Sequence, residues 1–437
     1  MAVVLITVDC LRAGHLGCYG YDRPTSPNID AFASDNTRYE HAYANSPGTR
    51  WAFQVLHTGL PTISIEGLGI PEDSQPLAER FKENEYSTGG FAVNGFVSRE
   101  YNYDRNFDTY YSITDSSDSY SFPKRLGLKI DRFIGNSYIR KNVFVPLNNF
   151  VQQTRSENNR YRPQHSDADT VDSAIEFVNR NRSEEYFLWV HLMDAHTPYG
   201  YWPAHLKEIR EDTNIPHSIR PEKEGKVASG RKPAPEVIDS YDAAIRSADE
   251  QIGRILESIS DEATTIITGD HGEEFGRYGD FHEASLYSSM TQIPLIVRTQ
   301  DIEPRVTQTP VQHLDIPPTV LYSAGITPPE EWPGEPLQVV DRDQNYPIFF
   351  CLSRNEVGVR VGEWKLITDD GVAELYNVPH SGQESTAIDD PEQLERLEEL
   401  VNTYLAETGT LMGGRSSLED DELPNEIKDN LEDLGYL

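Results

Sequence analysis

The chain of 437 residues carries 72 Asp and Glu against 38 Lys and Arg, a formal charge of -34 and a pI near 4.6. So acidic an exterior repels phosphate backbones and anionic lipid, which excludes nucleic acid or an anionic membrane as a large-surface partner. With 37% apolar and 10% aromatic residues the chain is not a disordered one, and its length exceeds a single ordinary core, so a large domain and a smaller one are expected.

Only 10 of the basic residues are Lys and 28 are Arg, and the acidic charge is spread along the chain. That balance suits a protein kept soluble in very high salt, where screening removes self-repulsion. A haloarchaeal source is the expectation, and an ordinary acidic enzyme the alternative. Cys10, Cys18 and Cys351 have neither disulfide nor zinc-cluster spacing, which points to a reducing compartment. Residues 1 to 8 lack the basic start and cleavage site of a signal peptide, and no run of 18 apolar residues occurs. A cytoplasmic protein without a membrane span is therefore expected.

Val3 to Val8 is a continuous apolar run, the pattern of a strand buried on both faces, and it ends at Asp9. A Gly-rich turn follows, then a helix entered through Thr25-Ser26-Pro27-Asn28. Ser112 to Arg162 and Asn214 to Pro235 have no clear period and read either as excursions that shape a site mouth or as plain loops. The first contains Arg125, Lys129, Arg132, Arg140 and Lys141, a basic funnel or a solvated helix face. Further strands are predicted at Tyr186 to Leu192, Thr264 to Thr268 and Ile293 to Val297, with helical periodicity at Ala174 to Val178 and Ile238 to Ile259. This alternation predicts an α/β fold with a doubly wound, mostly parallel sheet flanked by helices over residues 1–345. Residues 346–437 form a smaller α+β subdomain, with strands at Ile348 to Leu352, Val357 to Val361, Trp364 to Thr368 and Ala373 to Tyr376. A helix over Pro391 to Ala406 and a docked helix in the acidic tail, Leu418 to Leu437, complete it.

In such sheets ligands gather at the carboxyl ends of strands. Three of the predicted ends carry Asp9, Asp194 with His196, and Asp270 with His271, so one site can collect them. A hard divalent cation takes oxygen ligands with at most a histidine, which Asp9, Asp270 and His271 supply.

The segment from Asp9 to Gly20, DCLRAGHLGCYG, is followed by Ser26-Pro27-Asn28-Ile29-Asp30, then VHLMDAHTPY at Val190 to Tyr199 and TGDHGEEFG at Thr268 to Gly276. His282, Leu286-Tyr287, Ile293 to Ile296, HLDIPPTVL at His313 to Leu321, and the tail motifs VGEWKLI, ELYNV and GYL come after in order. Together these resemble the sulfatases of the alkaline-phosphatase superfamily over nearly the whole chain. The resemblance implies one metal ion, Ca²⁺ or Mg²⁺ first and Mn²⁺ or Zn²⁺ as alternatives. It places Cys10 where the family often has a second Asp ligand. There a thiolate would be a soft ligand and a thiol would leave the ion one ligand short.

The family's nucleophile is a Cys, less often a Ser, heading Cys-x-Pro-x-Arg and oxidised to formylglycine. The corresponding stretch, Ala44 to Pro61, contains no Cys. Aligning Thr58-Gly59 with the family's Thr-Gly puts Thr49 at the nucleophile position, Trp51 at the Pro and Phe53 at the Arg. Aligning Arg50 with the pentapeptide Arg instead makes Ser46 the nucleophile. Thr49 is preferred, because a metal-bound hydroxyl at a helix start can attack sulfur or phosphorus directly. Arg50 can clamp the anion. His196 and His282 are the candidates for proton transfer and for holding the non-bridging oxygens. Asn94 stands in the region of the family's Lys-x-His pair, and His191 and His313 are assigned to the core or to supporting positions.

The resemblance implies hydrolysis of sulfate esters of a sugar or small molecule. A phosphate ester hydrolase or phosphotransferase using Thr49, and a non-catalytic binding relative, are the alternatives. The charge balance makes its own forecast: thermal unfolding should occur at a higher temperature in molar KCl than in dilute buffer, and a melting temperature indifferent to salt would remove the halophile reading.

Overall fold

The computed structural model describes residues 1–65, 67–112, 167–197, 199, 202–210, 233–276, 282, 284–379 and 382–408. In chain order the strands are β1 (Ala2–Val8), β2 (Thr37–Tyr39), β3 (Ala42–Tyr43), β4 (Ser87–Ala92), β5 (Thr109–Tyr111), β6 (Tyr186–Leu192) and β7 (Thr264–Gly269). There follow β8 (Leu295–Arg298), β9 (Val306–Thr307), β10 (Val311–Gln312), β11 (Ile348–Cys351), β12 (Glu356–Val361), β13 (Trp364–Asp369) and β14 (Val372–Asn377). Eight of them form one sheet in the order β5-β4-β6-β1-β7-β8-β2-β9.

β1 lies at the centre, parallel to β6 and to β7. Its apolar run is continuous because both faces are covered. Val4, Ile6 and Val8 pack with Ile29, Phe177, Tyr241 and Ile252 from the helices Pro27–Ser34, Asp167–Arg180 and Pro235–Ser258. Val3 and Leu5 pack on the other side with Phe53, Leu56, Phe81 and Val320 from the helices Thr49–Thr58, Leu77–Glu83 and Ile316–Ser323. The expected doubly wound sheet is thus present, with one departure. β8 runs antiparallel to both β7 and β2 and begins at Leu295, not Ile293. Pro294 has no N–H to give the ladder, and its carbonyl instead accepts the Thr268 hydroxyl at 2.9 Å.

β11 to β14 form an antiparallel sheet against which the helix Pro391–Thr408 packs through Leu397 and Val401. This sheet carries a buried ion pair whose two members reach across to the segment Ser288–Thr291. Lys365 Nζ reaches Glu384 Oε1 at 2.7 Å, and both side chains are fully buried. Glu384 also accepts the Ser288 N–H and hydroxyl, at 3.0 and 2.8 Å. The predicted tail helix at Leu418 to Leu437, the basic group from Arg125 to Lys141, and most of the two predicted excursions lie outside the described residues. Among the described residues no helix is long and apolar enough to cross a membrane.

After β6 the chain turns through Met193 and Asp194, whose N–H groups each donate to a different oxygen of Asp167, both at 2.8 Å. Asp194 in turn accepts the Ser247 hydroxyl at 2.6 Å. This carboxylate, predicted at the site, faces the helix layer instead. Burial lifts Asp167 to about 6 and Asp194 well above the usual carboxylate range, the latter helped by Asp167.

Two outcomes follow from these buried groups. Lys365→Met leaves Glu384 buried without its cation and should cost roughly 3–5 kcal/mol in urea unfolding. Asp167 and Asp194 hold more protons folded than unfolded, so their contribution to stability declines as pH rises through about 6. Asp194→Asn should therefore be more stable than wild type above that pH and should flatten the pH profile. Parallel wild-type and variant profiles would refute this assignment.

Candidate metal centre and active site

The pairing of β1 with β7 places Val8 opposite Gly269, so Asp9 and Asp270 leave adjacent strands side by side. Gly269 is required there, because a Cβ would come within 2.7 Å of the Leu11 carbonyl oxygen. Both carboxylates are fully buried. Asp270 Oδ1 accepts the Cys10 and His271 N–H groups at 3.1 and 2.7 Å, whereas its buried Oδ2 has no hydrogen-bond partner among the described residues.

Asp9 is surrounded by donors. Its Oδ2 lies 3.3 Å from His191 Nε2, 3.2 Å from Asn94 Nδ2 and 3.4 Å from Thr49 Oγ1. Its Oδ1 accepts the Cys10 thiol at 3.0 Å. Burial alone would raise the pKa of Asp9, but His196, His191 and His271 outweigh it and hold the group well below the usual range. Burial and the neighbouring Asp9 push Asp270 in the opposite direction. Two carboxylates in so dry a site cannot both remain charged unless they share a cation.

His271 sits beside them, with Nδ1 tied 2.7 Å from the Gly272 carbonyl and Nε2 turned inward. That nitrogen is 3.7 Å from Asp9, 3.6 Å from Asp270 and 3.3 Å from Thr49 Oγ1. Burial lowers its pKa, which favours the neutral imidazole a metal needs. Two carboxylates, one of them with an unsatisfied oxygen, and an inward Nε2 are a donor set that fits a hard or borderline divalent ion.

Thr49 opens the helix Thr49–Thr58 and is buried with its hydroxyl on this centre. Ser46, the other nucleophile candidate, bonds the Thr62 hydroxyl at 2.7 Å instead. Phe53 packs edge-on against His191, with ring centroids 4.6 Å apart, and against Trp189 at 5.2 Å. The Arg50 guanidinium lies over the Trp51 ring, 4.0 Å from its centroid, and 5.9 Å from that of Phe96.

Cys10 adopts a left-handed backbone, φ 57°, directly after the strand, a conformation that costs a non-glycine residue on the order of 1–3 kcal/mol. Burial and then Asp9 push its thiol well above the usual pKa, so it is a thiol in this arrangement.

His196 and His282 meet edge to face with centroids 4.7 Å apart. Burial lowers His196 to about 4. Burial acts likewise on His282, but Glu273 outweighs it and raises the pKa. His282 Nδ1 is 3.2 Å from both oxygens of Glu273, which also accepts the Tyr199 hydroxyl at 2.9 Å.

Three residues of this centre were not nominated from the sequence. Glu273 is fully buried and orients His282, and its only sequence signal was an acidic residue two positions beyond the Asp-His pair. His191 was assigned to the core or a supporting place, and its Nε2 reaches Asp9. Asn94 was noted only for what it replaces, yet it donates to the same oxygen. His313 supports the strand end through the Gly269 carbonyl at 2.9 Å.

The family model described as Sulfatase matches residues 2–326. The uncharacterized sulfatase YidJ of Escherichia coli (strain K12) is 24% identical over 381 residues, 79% of this chain and 72% of that protein. Among solved structures, Ps i-CgsB in complex with k-i-k-neocarrahexaose superposes with a TM-score of 0.68 at 17% identity, covering 95% of each chain. The phosphonate monoester hydrolase SpPMH from Silicibacter pomeroyi gives 0.65 at 17% identity, covering 94% of this chain and 96% of that one. The family match over most of the chain, together with a sheet that delivers its acidic residues to one carboxyl edge, leads to one conclusion: the chain belongs to the sulfatase family of hydrolases.

Proposed function

We propose that the protein is a metal-dependent hydrolase of singly charged tetrahedral esters, acting on sulfate esters of a sugar or other small alcohol. The observation that carries this reading is the Thr49 hydroxyl, 3.3 Å from His271 and 3.4 Å from Asp9, at the start of a helix. Asp9, Asp270 and His271 would hold the ion, with Ca²⁺ or Mg²⁺ preferred and Mn²⁺ or Zn²⁺ as alternatives. A bound divalent ion supplies positive charge that favours ionisation of the hydroxyl and neutralises the ester oxygens.

Thr49 Oγ1 attacks the central atom, its proton leaving along the hydrogen bond to Asp9. Backbone amides at the helix start favour the negative charge that gathers there. His282, whose protonated form Glu273 favours, gives its proton to the departing alcohol, and neutral His196 donates to a non-bridging oxygen. Arg50 serves as an outer clamp for the anion. Water then opens the ester on Thr49 at sulfur or phosphorus. The Thr49 carbon bears one oxygen only, so expulsion from a formylglycine diol is not available to it.

That same feature favours a second reading, a phosphate diester or phosphonate monoester as substrate, because direct hydroxyl attack suits phosphorus. Among the described residues no lysine lies in the centre, and a dianionic phosphate monoester would lack cations to meet its second charge. The saccharide held by Ps i-CgsB supports a sugar as the alcohol, and SpPMH supports the phosphorus alternative.

The test is turnover of p-nitrophenyl sulfate and bis-p-nitrophenyl phosphate in molar KCl with each metal. Thr49→Ala should lower kcat by on the order of 10⁴ or more while metal content is kept. Asp270→Ala should lose the metal. Faster turnover of the diester selects the second reading. Wild-type activity in Thr49→Ala removes the nucleophile assignment, and silence with every substrate in a metal-free protein makes the chain a binding relative.

A further inference from the structure

Cys10 Sγ also lies within 4.8 Å of ligand atoms of Asp9 and His271, but a soft sulfur adds little to a hard ion already given two carboxylates. Its sulfur has other neighbours. Cys10 Sγ, a ring nitrogen of His196 and a ring nitrogen of His282 all lie within 4.8 Å of one another. The three come from different parts of the chain: the turn after β1, the turn after β6, and the segment after β7.

The surroundings of His282 carry a second, independent sign. His282 Nδ1 faces both oxygens of Glu273 and donates to them, so in the neutral ring Nε2 carries the lone pair. Glu273 is itself fixed by the Tyr199 hydroxyl at 2.9 Å. A carboxylate that holds one nitrogen of a histidine so that the other can bind a cation is the usual outer support of a zinc ligand. The edge-to-face contact of the two imidazoles, 4.7 Å between centroids, puts both rings around one point near the sulfur.

We infer that Cys10, His196 and His282 form a second metal site, of two nitrogens and one sulfur, suited to Zn²⁺ and placed directly beside the carboxylate site. Three protein ligands leave a fourth position for water or substrate, as catalytic zinc sites do. Binding is a ligand exchange without redox change: the Cys10 thiol, which donates its proton in a hydrogen bond to Asp9, would lose that proton to solvent and bind as thiolate. Such an ion would supply the positive charge toward the leaving and non-bridging oxygens that the His282 and His196 protons supply in its absence. The proposal takes from the preceding reading only that Asp9, Asp270 and His271 form a separate site.

The test uses the full chain, freed of metal and titrated with Co²⁺ and then Zn²⁺ in molar KCl, with circular dichroism as a check on folding. Wild type should bind two cobalt ions per chain and show thiolate-to-cobalt charge-transfer absorption. Cys10→Ser and His282→Gln should each lose that absorption and one ion, with His196→Gln as replacement for a variant that fails to fold. Asp270→Asn should lose the other ion and keep the absorption. Glu273→Gln should weaken Zn²⁺ binding at the thiolate site about 10- to 100-fold. Cobalt binding without thiolate absorption overturns the proposal, as does loss of the absorption in Asp270→Asn, which would return Cys10 to the carboxylate site. A single bound ion with full absorption, unchanged in Asp270→Asn, upholds the thiolate site and removes the carboxylate one.

Discussion

The centre of this protein is governed by the repulsion between two buried carboxylates that the sheet forces together. β1 and β7 pair in parallel with Val8 opposite Gly269, and each strand is followed at once by an aspartate. Neither Asp9 nor Asp270 is exposed, so water does not screen them. At an effective dielectric of about 20, two unit charges about 4 Å apart cost on the order of 4 kcal/mol. Most of the polar groups nearby answer that cost. The Cys10 and His271 amides cover one oxygen of Asp270, and His191, Asn94 and Thr49 cover one oxygen of Asp9.

The histidines can serve this purpose because each is tethered by its outer nitrogen. His271 is tied to the Gly272 carbonyl, His191 to the Thr7 hydroxyl and His282 to Glu273, and the two nearest the carboxylates turn Nε2 inward. Tethers of this kind fix the tautomer as well as the direction, so the centre is organised before any ligand arrives. The tethers rest on rigid elements. Thr7 is within β1, Gly272 is held by its N–H to the Met290 carbonyl, and a Cβ at Gly272 would meet the Ser289 carbonyl oxygen at 1.9 Å. The segment Ser288–Thr291 is fastened in turn by Glu384 and Lys365, which links the small antiparallel sheet to the floor of the site.

The long strands were legible because burial on both faces writes itself as an unbroken apolar run, as in β1, β6 and β7. β4 was not, since STGGFA carries two glycines that argue against a strand. Their reason is tertiary: Cβ atoms at Gly89 and Gly90 would lie 2.9 and 2.7 Å from the Phe177 and Tyr110 rings. Strands of two or three residues such as β2, β3, β9 and β10 are too short to show a period. In the site, Asp9, Asp270 and His271 announced themselves as acidic and basic residues at strand ends. Glu273 and His191 did not, because their roles are set by Tyr199, His282, Thr7 and Asp9, partners remote in sequence. Asp194 misled for the converse reason: it has the right address, at the end of β6, but its carboxylate meets Ser247 of a covering helix.

The three departures from the family pattern belong together electrostatically. Cys10 in place of an aspartate removes one negative charge from the centre. In the register that places Thr49 at the nucleophile position, Phe53 stands in place of the pentapeptide arginine, and that change together with Asn94 in the region of the Lys-x-His pair removes positive charge. The losses offset one another only in part, since one negative charge is removed and more than one positive charge is removed with it. The replacements also keep the mechanical functions. Phe53 braces His191, which donates to Asp9, and Asn94 donates to the same oxygen, so Asp9 remains held. What such a centre gives up is cationic reach toward the substrate, and that loss is the ground for proposing an ester with a single negative charge and Thr49 as a nucleophile that needs no prior oxidation.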